Sequence, residues 1–202
     1  MPLWLAEEPL VLASRSKARR VLLTAAGIPV DVRPAELDER SVEAAAPAAA
    51  AGATAALLAR EKAAAVARLN PGRLTLGADQ TLALGAERFV KPADRAAARA
   101  QLCALRGRTH ELHSAIAFVK DANVLFEHVG VARLTMRAFS DRFLDLYLDA
   151  IGGAATESVG VYQIEGLGMQ LFQRVDGDHF TVLGLPLMET LDFLRSYGCL
   201  AP

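Results

Sequence analysis

Short apolar runs alternate with longer stretches of helical spacing along this chain. Residues 10–13 (Leu-Val-Leu-Ala) have the length and composition of a buried strand. Ser14, Arg15 and Ser16 follow as a turn. Val21, Leu22 and Ala25 then set a helical period over 17–26 that stops at Gly27. Residues 28–32 predict a return strand, 34–40 a loop, and 54–68 an alanine-rich helix. A second buried strand over 74–78 is expected to end at Asp79. A further one over 81–84 turns at Gly85 and comes back to Val90. Lys91-Pro92 is read as opening a helix over 93–105, closed by Gly107. The β-branched stretch 109–136 reads as two long strands joined near 121–123. Ser140 caps a helix ending near Ala150, 171–175 is a strand, and 187–197 is a final amphipathic helix. Helices and strands alternate, so an α/β class follows, and the hairpin-like stretches favour a mixed sheet.

The composition narrows the function. The 202 residues are 52% hydrophobic and 22% charged, which excludes disorder over most of the length. Twenty-two basic against 23 acidic residues give a net charge of -1, so a general nucleic-acid binder is not expected and any positive site is local. Two cysteines suit a reducing compartment. The N-terminal segment carries acids where an export signal carries bases. The alanine stretch 44–59 is interrupted by Pro47 and Gly52 and runs into Arg60, Glu61 and Lys62, so no membrane span is expected. These features predict a soluble, cytoplasmic protein without a membrane partner.

The turn at Ser14–Arg20 is the most informative segment. A helix start carries unpaired N–H groups and partial positive charge, and it favours acids. This one places Lys17, Arg19 and Arg20 in its first turn. Such stacking is unfavourable without a bound anion, so Ser14, Ser16 and Arg19 are candidate phosphate ligands; a solvated basic turn capped by Ser16 is the other reading. Asp79, at the expected end of a rigid strand, suits catalysis or metal binding, or else a simple turn cap. Lys62 and Lys91 are candidate cations or plain surface lysines. Glu36, Asp38 and Glu39 form an acidic group that is either solvated or able to hold Mg²⁺ together with substrate phosphates. The sequence contains no HExxH, Walker loop, GxGxxG, Gly-x-Ser-x-Gly or Cys/His zinc spacing.

Taken together, LVLASRSKARRVLL, the Leu37–Glu39 LDE, the Glu61–Ala63 EKA, GADQT at 77–81 and Lys91-Pro92 resemble the Maf family in order and spacing. RGRTHELHSAIAF, VGVYQIEGLG and TVLGLPL carry the resemblance almost to the C-terminus. It implies a nucleoside triphosphate pyrophosphatase that releases NMP and pyrophosphate with Mg²⁺ or Mn²⁺. The implied fold is inosine triphosphatase-like, one domain over 1–202 with two lobes around a deep cleft, usually a homodimer. By position, Asp79 matches the general base, Ser14, Ser16 and Arg19 the phosphate loop, Lys62 and Lys91 its lysines, and Glu39 the metal carboxylate. The alternative from another class is a nucleotide-binding regulator of septum formation without turnover.

The chain departs from the commonest family pattern at Lys17, which replaces a proline, at Ala18, which replaces a bulkier residue, and at Val90, which replaces a glycine. Gln80 and Glu165 stand where the dTTP/UTP branch generally has threonine and glutamine, and they resemble the 7-methyl-GTP branch. A carboxylate accepts from guanine's Watson–Crick edge but faces the two carbonyls of a pyrimidine. Ala18, Gln80 and Glu165 are therefore the residues expected to set base preference, with a guanine-type base favoured over a pyrimidine.

Overall fold

A computed structural model describes residues 3–45 and 50–202. Pro47, expected to interrupt the alanine stretch, lies outside the described residues. The elements run β1 (Leu10–Leu12), α1 (Lys17–Ala25), β2 (Val30–Val32), α2 (Glu39–Ala44), α3 (Ala51–Ala67), β3 (Leu74–Leu84), β4 (Glu87–Phe89), α4 (Arg95–Leu105), β5 (Thr109–Lys120), β6 (Asn123–Met136), α5 (Asp141–Ile151), β7 (Phe172–Asp176), α6 (His179–Val182) and α7 (Leu187–Ser196). Short 3₁₀ turns occupy Gly152–Thr156 and Leu167–Leu171. The strands form one mixed sheet in the order β2-β1-β3-β5-β6-β7, with β4 also on β3. β1 pairs in parallel with β2 and β3, while β3–β4 and β6–β7 are antiparallel. Among the described residues no helix is long and apolar enough to cross a membrane.

Most elements lie within a residue or two of the expected bounds, and three differ in ways that bear on the site. The expected strands 74–78 and 81–84 are a single strand, so Asp79 is mid-strand and not at an end. No glycine or proline separates Asp79 from Leu84, and nothing in Gln80 or Thr81 breaks extended backbone. The expected 34–40 loop ends in a helix: Asp38 accepts from Ser41 N at 3.3 Å and from Ser41 Oγ at 2.6 Å, capping α2 so that Glu39 is its first residue. On the other side of the hairpin, α4 begins at Arg95 under an Asp94 cap, which leaves Lys91 in the connection before it.

The chain divides into two compact units. The first holds residues 1–80, 113–130 and 178–202. Its core follows strand alternation. Leu10 and Leu12 of β1, Leu76 and Ala78 of β3, and Ile116 and Phe118 of β5 point to one face, against Leu23 of α1 and Leu187 and Leu194 of α7. The intervening Ala115, Ala117 and Val119 point to the other face, against Ala55, Ala59, Ala63 and Ala67 of α3. The alanines explain why α3 lies so near the sheet. At Gly77 it lies closer still, where a Cβ would strike the Ala59 carbonyl and the Ala63 backbone nitrogen. Close approach is what lets a side chain of α3 reach β3.

The second unit holds residues 81–112 and 131–177. Its α4 and α5 pair through Arg95–Asp149, Arg99–Asp145 and Arg106–Asp141. These are exposed bridges that contribute little individually. A concavity of about 180 Å³ is lined by Tyr147, Ile151, Val161, Tyr162 and Leu167 among others, with no charged side chain in its wall. That wall offers a phosphate no counter-charge.

Candidate functional site

In the first unit three elements converge on one buried carboxylate. Asp79 points from the middle of β3 toward α3, with its side chain 11% exposed. Lys62 reaches it from α3: Nζ donates to Asp79 Oδ1 at 2.6 Å. The same ammonium lies 2.9 Å from Glu39 Oε1 of α2. One cation thus sits on two carboxylates, one buried and one half exposed. Burial pushes the Asp79 carboxyl above its ordinary range; Lys62 and Arg19 pull it back, and Glu39 adds a push upward. The result is a carboxylate more basic than usual that remains tied to a cation.

The β1–α1 turn brings the second group. Ser16 caps α1 by accepting from Arg19 N at 3.3 Å. Ser14 is buried, and its Oγ accepts from Ser16 N at 3.2 Å and from Arg19 Nη1 at 3.1 Å. Arg19 itself does not project into solvent. Its Nη1 donates to the Ala78 carbonyl at 2.8 Å, beside Asp79, and its Nε donates to the Gly184 carbonyl at 2.8 Å. Desolvation lowers the pKa of this guanidinium, against the pull of Asp79 and Glu39. Arg15, Lys17 and Arg20 are exposed, so only one of the turn's cations is built into the protein.

Of the residues picked out in the sequence, Ser14, Ser16, Arg19, Glu39, Lys62 and Asp79 are therefore assembled in the first unit. Asp38 serves as a helix cap and Glu36 is exposed, so the acidic group is not a single cluster. Ala18 is part-buried on α1. Gln80 belongs to the first unit too, but its amide is bound to Ser114, Thr181 and Val182. Lys91 and Glu165 belong to the second unit, both exposed. The 181–187 block TVLGLPL carried part of the family resemblance, but the Gly184 carbonyl was not singled out, because a backbone acceptor carries no mark in a sequence.

The second unit contains a buried pair that the sequence reading passed over. His110 Nε2 lies 2.7 Å from Tyr162 Oη, and Nδ1 has no hydrogen-bond partner among the described residues. Burial lowers the His110 pKa to about 4 and raises that of Tyr162, so the pair is neutral near pH 7. Val161 beside it has φ 62°, unusual for a β-branched residue, and its carbonyl accepts from Tyr147 Oη at 2.9 Å.

Residues 9–197 match the family described as Maf-like protein. The chain belongs to the Maf-like family. Relatives share its full length. A protein of Rhodopseudomonas palustris named nucleoside triphosphate pyrophosphatase is 58% identical over 201 residues, 100% of both chains. A protein of Mesorhizobium japonicum named 7-methyl-GTP pyrophosphatase is 47% identical over 197 residues, 96% of this chain and 98% of that one. The Maf-like chain also shows a distant likeness to a solved nucleoside-triphosphatase / dITP/XTP pyrophosphatase from Mycobacterium abscessus. That likeness is 16% identical over 94% of this chain and 95% of the other, with a TM-score of 0.41.

Proposed function

We propose that this Maf-like protein hydrolyses a nucleoside triphosphate between its α and β phosphates, giving NMP and pyrophosphate. The observation that carries the reading is the Lys62–Asp79 pair, 2.6 Å long, flanked by Arg19 and the capped turn at Ser16. The names of the full-length relatives support it. A triphosphate brings several negative charges, and hydrolysis adds charge to the leaving pyrophosphate. Fixed cations in a desolvated setting stabilise that change without reorganising. Lys62, Arg19, Ser14, Ser16 and the first N–H groups of α1 supply such a setting.

Asp79 is the group that takes the proton from the attacking water. Burial makes it a stronger base, and Lys62 keeps it ionised and oriented. Among the described residues no group of three or more His, Cys, Asp and Glu side chains gathers as a metal site. Glu39 and Asp79, two carboxylates sharing one cation, still fit an ion such as Mg²⁺ that takes most of its shell from phosphates and water. Glu39 would hold that ion, which would supply further neutralisation of the phosphates.

For the base, we propose a guanine-type nucleotide, with Glu165 accepting from guanine's Watson–Crick donors and Lys91 serving the phosphates. The Mesorhizobium relative's name points the same way. A panel of 7-methyl-GTP, GTP, ITP, dTTP and UTP with Mg²⁺ or Mn²⁺, read by pyrophosphate release, tests both levels. Turnover of any member supports the reaction, and binding of the panel without turnover favours a regulator. The guanine reading predicts that Glu165→Gln lowers the purine-to-pyrimidine ratio of kcat/KM about tenfold or more. An unchanged ratio removes Glu165 from base selection.

A further inference from the structure

Gln80 follows Asp79 in β3, and strand alternation turns the two side chains to opposite faces of the sheet. Asp79 meets Lys62 of α3. The Gln80 amide nitrogen instead donates to Ser114 Oγ at 2.8 Å, Val182 O at 3.1 Å and Thr181 O at 3.2 Å. Two of these acceptors are backbone carbonyls, which never donate. Ser114 gives its own proton to Thr181 O at 2.7 Å. The amide therefore has one orientation, nitrogen inward, with both hydrogens committed to protein. No N–H remains to read a base, and Oε1 can only accept.

The segment that Gln80 holds is the one that holds Arg19. Asp178 Oδ2 accepts from Thr181 N at 2.7 Å and from Thr181 Oγ1 at 2.9 Å, so the turn is pinned at its start as well. It ends at Gly184, whose φ of +89° suits only glycine and whose carbonyl accepts from Arg19 Nε. A Cβ there would sit 3.4 Å from Arg19 Nη2 and 3.6 Å from Gln80 Oε1. Amide and guanidinium thus hold the same turn.

We infer that Gln80 is a positioning residue for Arg19: it fixes the 181–184 turn, and the Gly184 carbonyl of that turn aims the guanidinium at the phosphates. The inference rests on the polyphosphate reading of Arg19. It gives Gln80 a part in phosphate binding in addition to the base selection expected of it.

Gln80→Met keeps the side-chain length and removes the amide. It is assayed on GTP, ITP and dTTP, and by calorimetry with inorganic pyrophosphate, alone and in an Arg19→Ala background. Pyrophosphate affinity is expected to fall about tenfold, with kcat/KM falling on every triphosphate. In the Arg19→Ala background the methionine costs no more than about twofold in pyrophosphate affinity. Gly184→Ala should reproduce the pattern, and it carries the test if Gln80→Met does not fold. Unchanged pyrophosphate affinity, or full additivity with Arg19→Ala, overturns the inference. Wild-type protein that binds pyrophosphate but turns over no triphosphate removes the hydrolase reading and leaves this one measurable. No pyrophosphate binding by wild type overturns both.

Discussion

Each unit of this protein buries a small polar cluster, and the two respond to burial in opposite ways. In the first, Asp79 is desolvated but lies against Lys62 and near Arg19, so charge stays in the interior with a partner. In the second, His110 is desolvated beside a tyrosine hydroxyl and two aromatic rings, and it stays neutral. Burial raises the pKa of an acid and lowers that of a base, in both cases favouring the uncharged form. A buried group becomes chemically useful when a counter-charge holds it near the point of titration, as at Asp79. Without one it becomes a packing element, as at His110.

The comparison breaks most sharply at Asp79. Asp79→Asn keeps the shape and removes the base, so kcat/KM is expected to fall by about 10³-fold or more while nucleotide affinity stays within a few-fold. Single-turnover pyrophosphate release beside calorimetry measures both. In the wild type, the acid limb of kcat/KM against pH should have its midpoint above 3.8, the ordinary aspartate value, because the protonated acid takes no proton from water.

Lys62→Met comes next. It removes the largest attraction opposing burial, so the acid limb should move to still higher pH and kcat/KM should drop about 10²-fold. An acid limb that stays in place would show that Lys62 does not govern Asp79.

The stability profiles should run in opposite directions. Between 3.8 and its raised folded value, Asp79 binds a proton in the folded chain that the unfolded chain has released; its contribution is present at low pH and lost as pH rises. His110 has a folded pKa of about 4 against 6.5, so its contribution is complete above 6.5 and lost as pH falls toward 4. The His110 effect is about 3 kcal/mol over that window. His110→Phe should flatten the slope of stability with pH there, as read by denaturant unfolding at a series of pH values. An unchanged slope would mean that another group titrates.

The smallest effect is expected at Tyr162→Phe, which deletes one hydroxyl from the neutral pair. A loss of about 1 kcal/mol in stability with little change in turnover would set it apart from the charged cluster.

Most of the fold was legible because its signals are local. The apolar run at 10–13, the caps Ser16 and Ser140 and the stops at Gly27 and Gly85 each act within a few residues. The misplacements arose where local signals were absent. Asp79 read as a strand end because a polar triplet follows an apolar run, yet the ladder continues through it. Asp38 read as part of an acidic cluster, though an Asp three residues before Ser41 is a capping pattern. The site was legible as a set of residues, Ser14, Ser16, Arg19, Glu39, Lys62 and Asp79. Its internal pairing was not.

By itself the sequence determined which residues are ionisable, where most of the longer helices lie, and the family to which the chain belongs. The tertiary structure decided which cation meets which carboxylate, that Arg19 turns inward to two carbonyls, and that Gln80 and Asp79 face opposite sides of one strand. The division has a physical cause. Capping and periodicity are interactions between near neighbours in the chain. Ion pairing, desolvation and a carbonyl's aim depend on groups as far apart as Arg19 and Gly184, which only the packed sheet brings together.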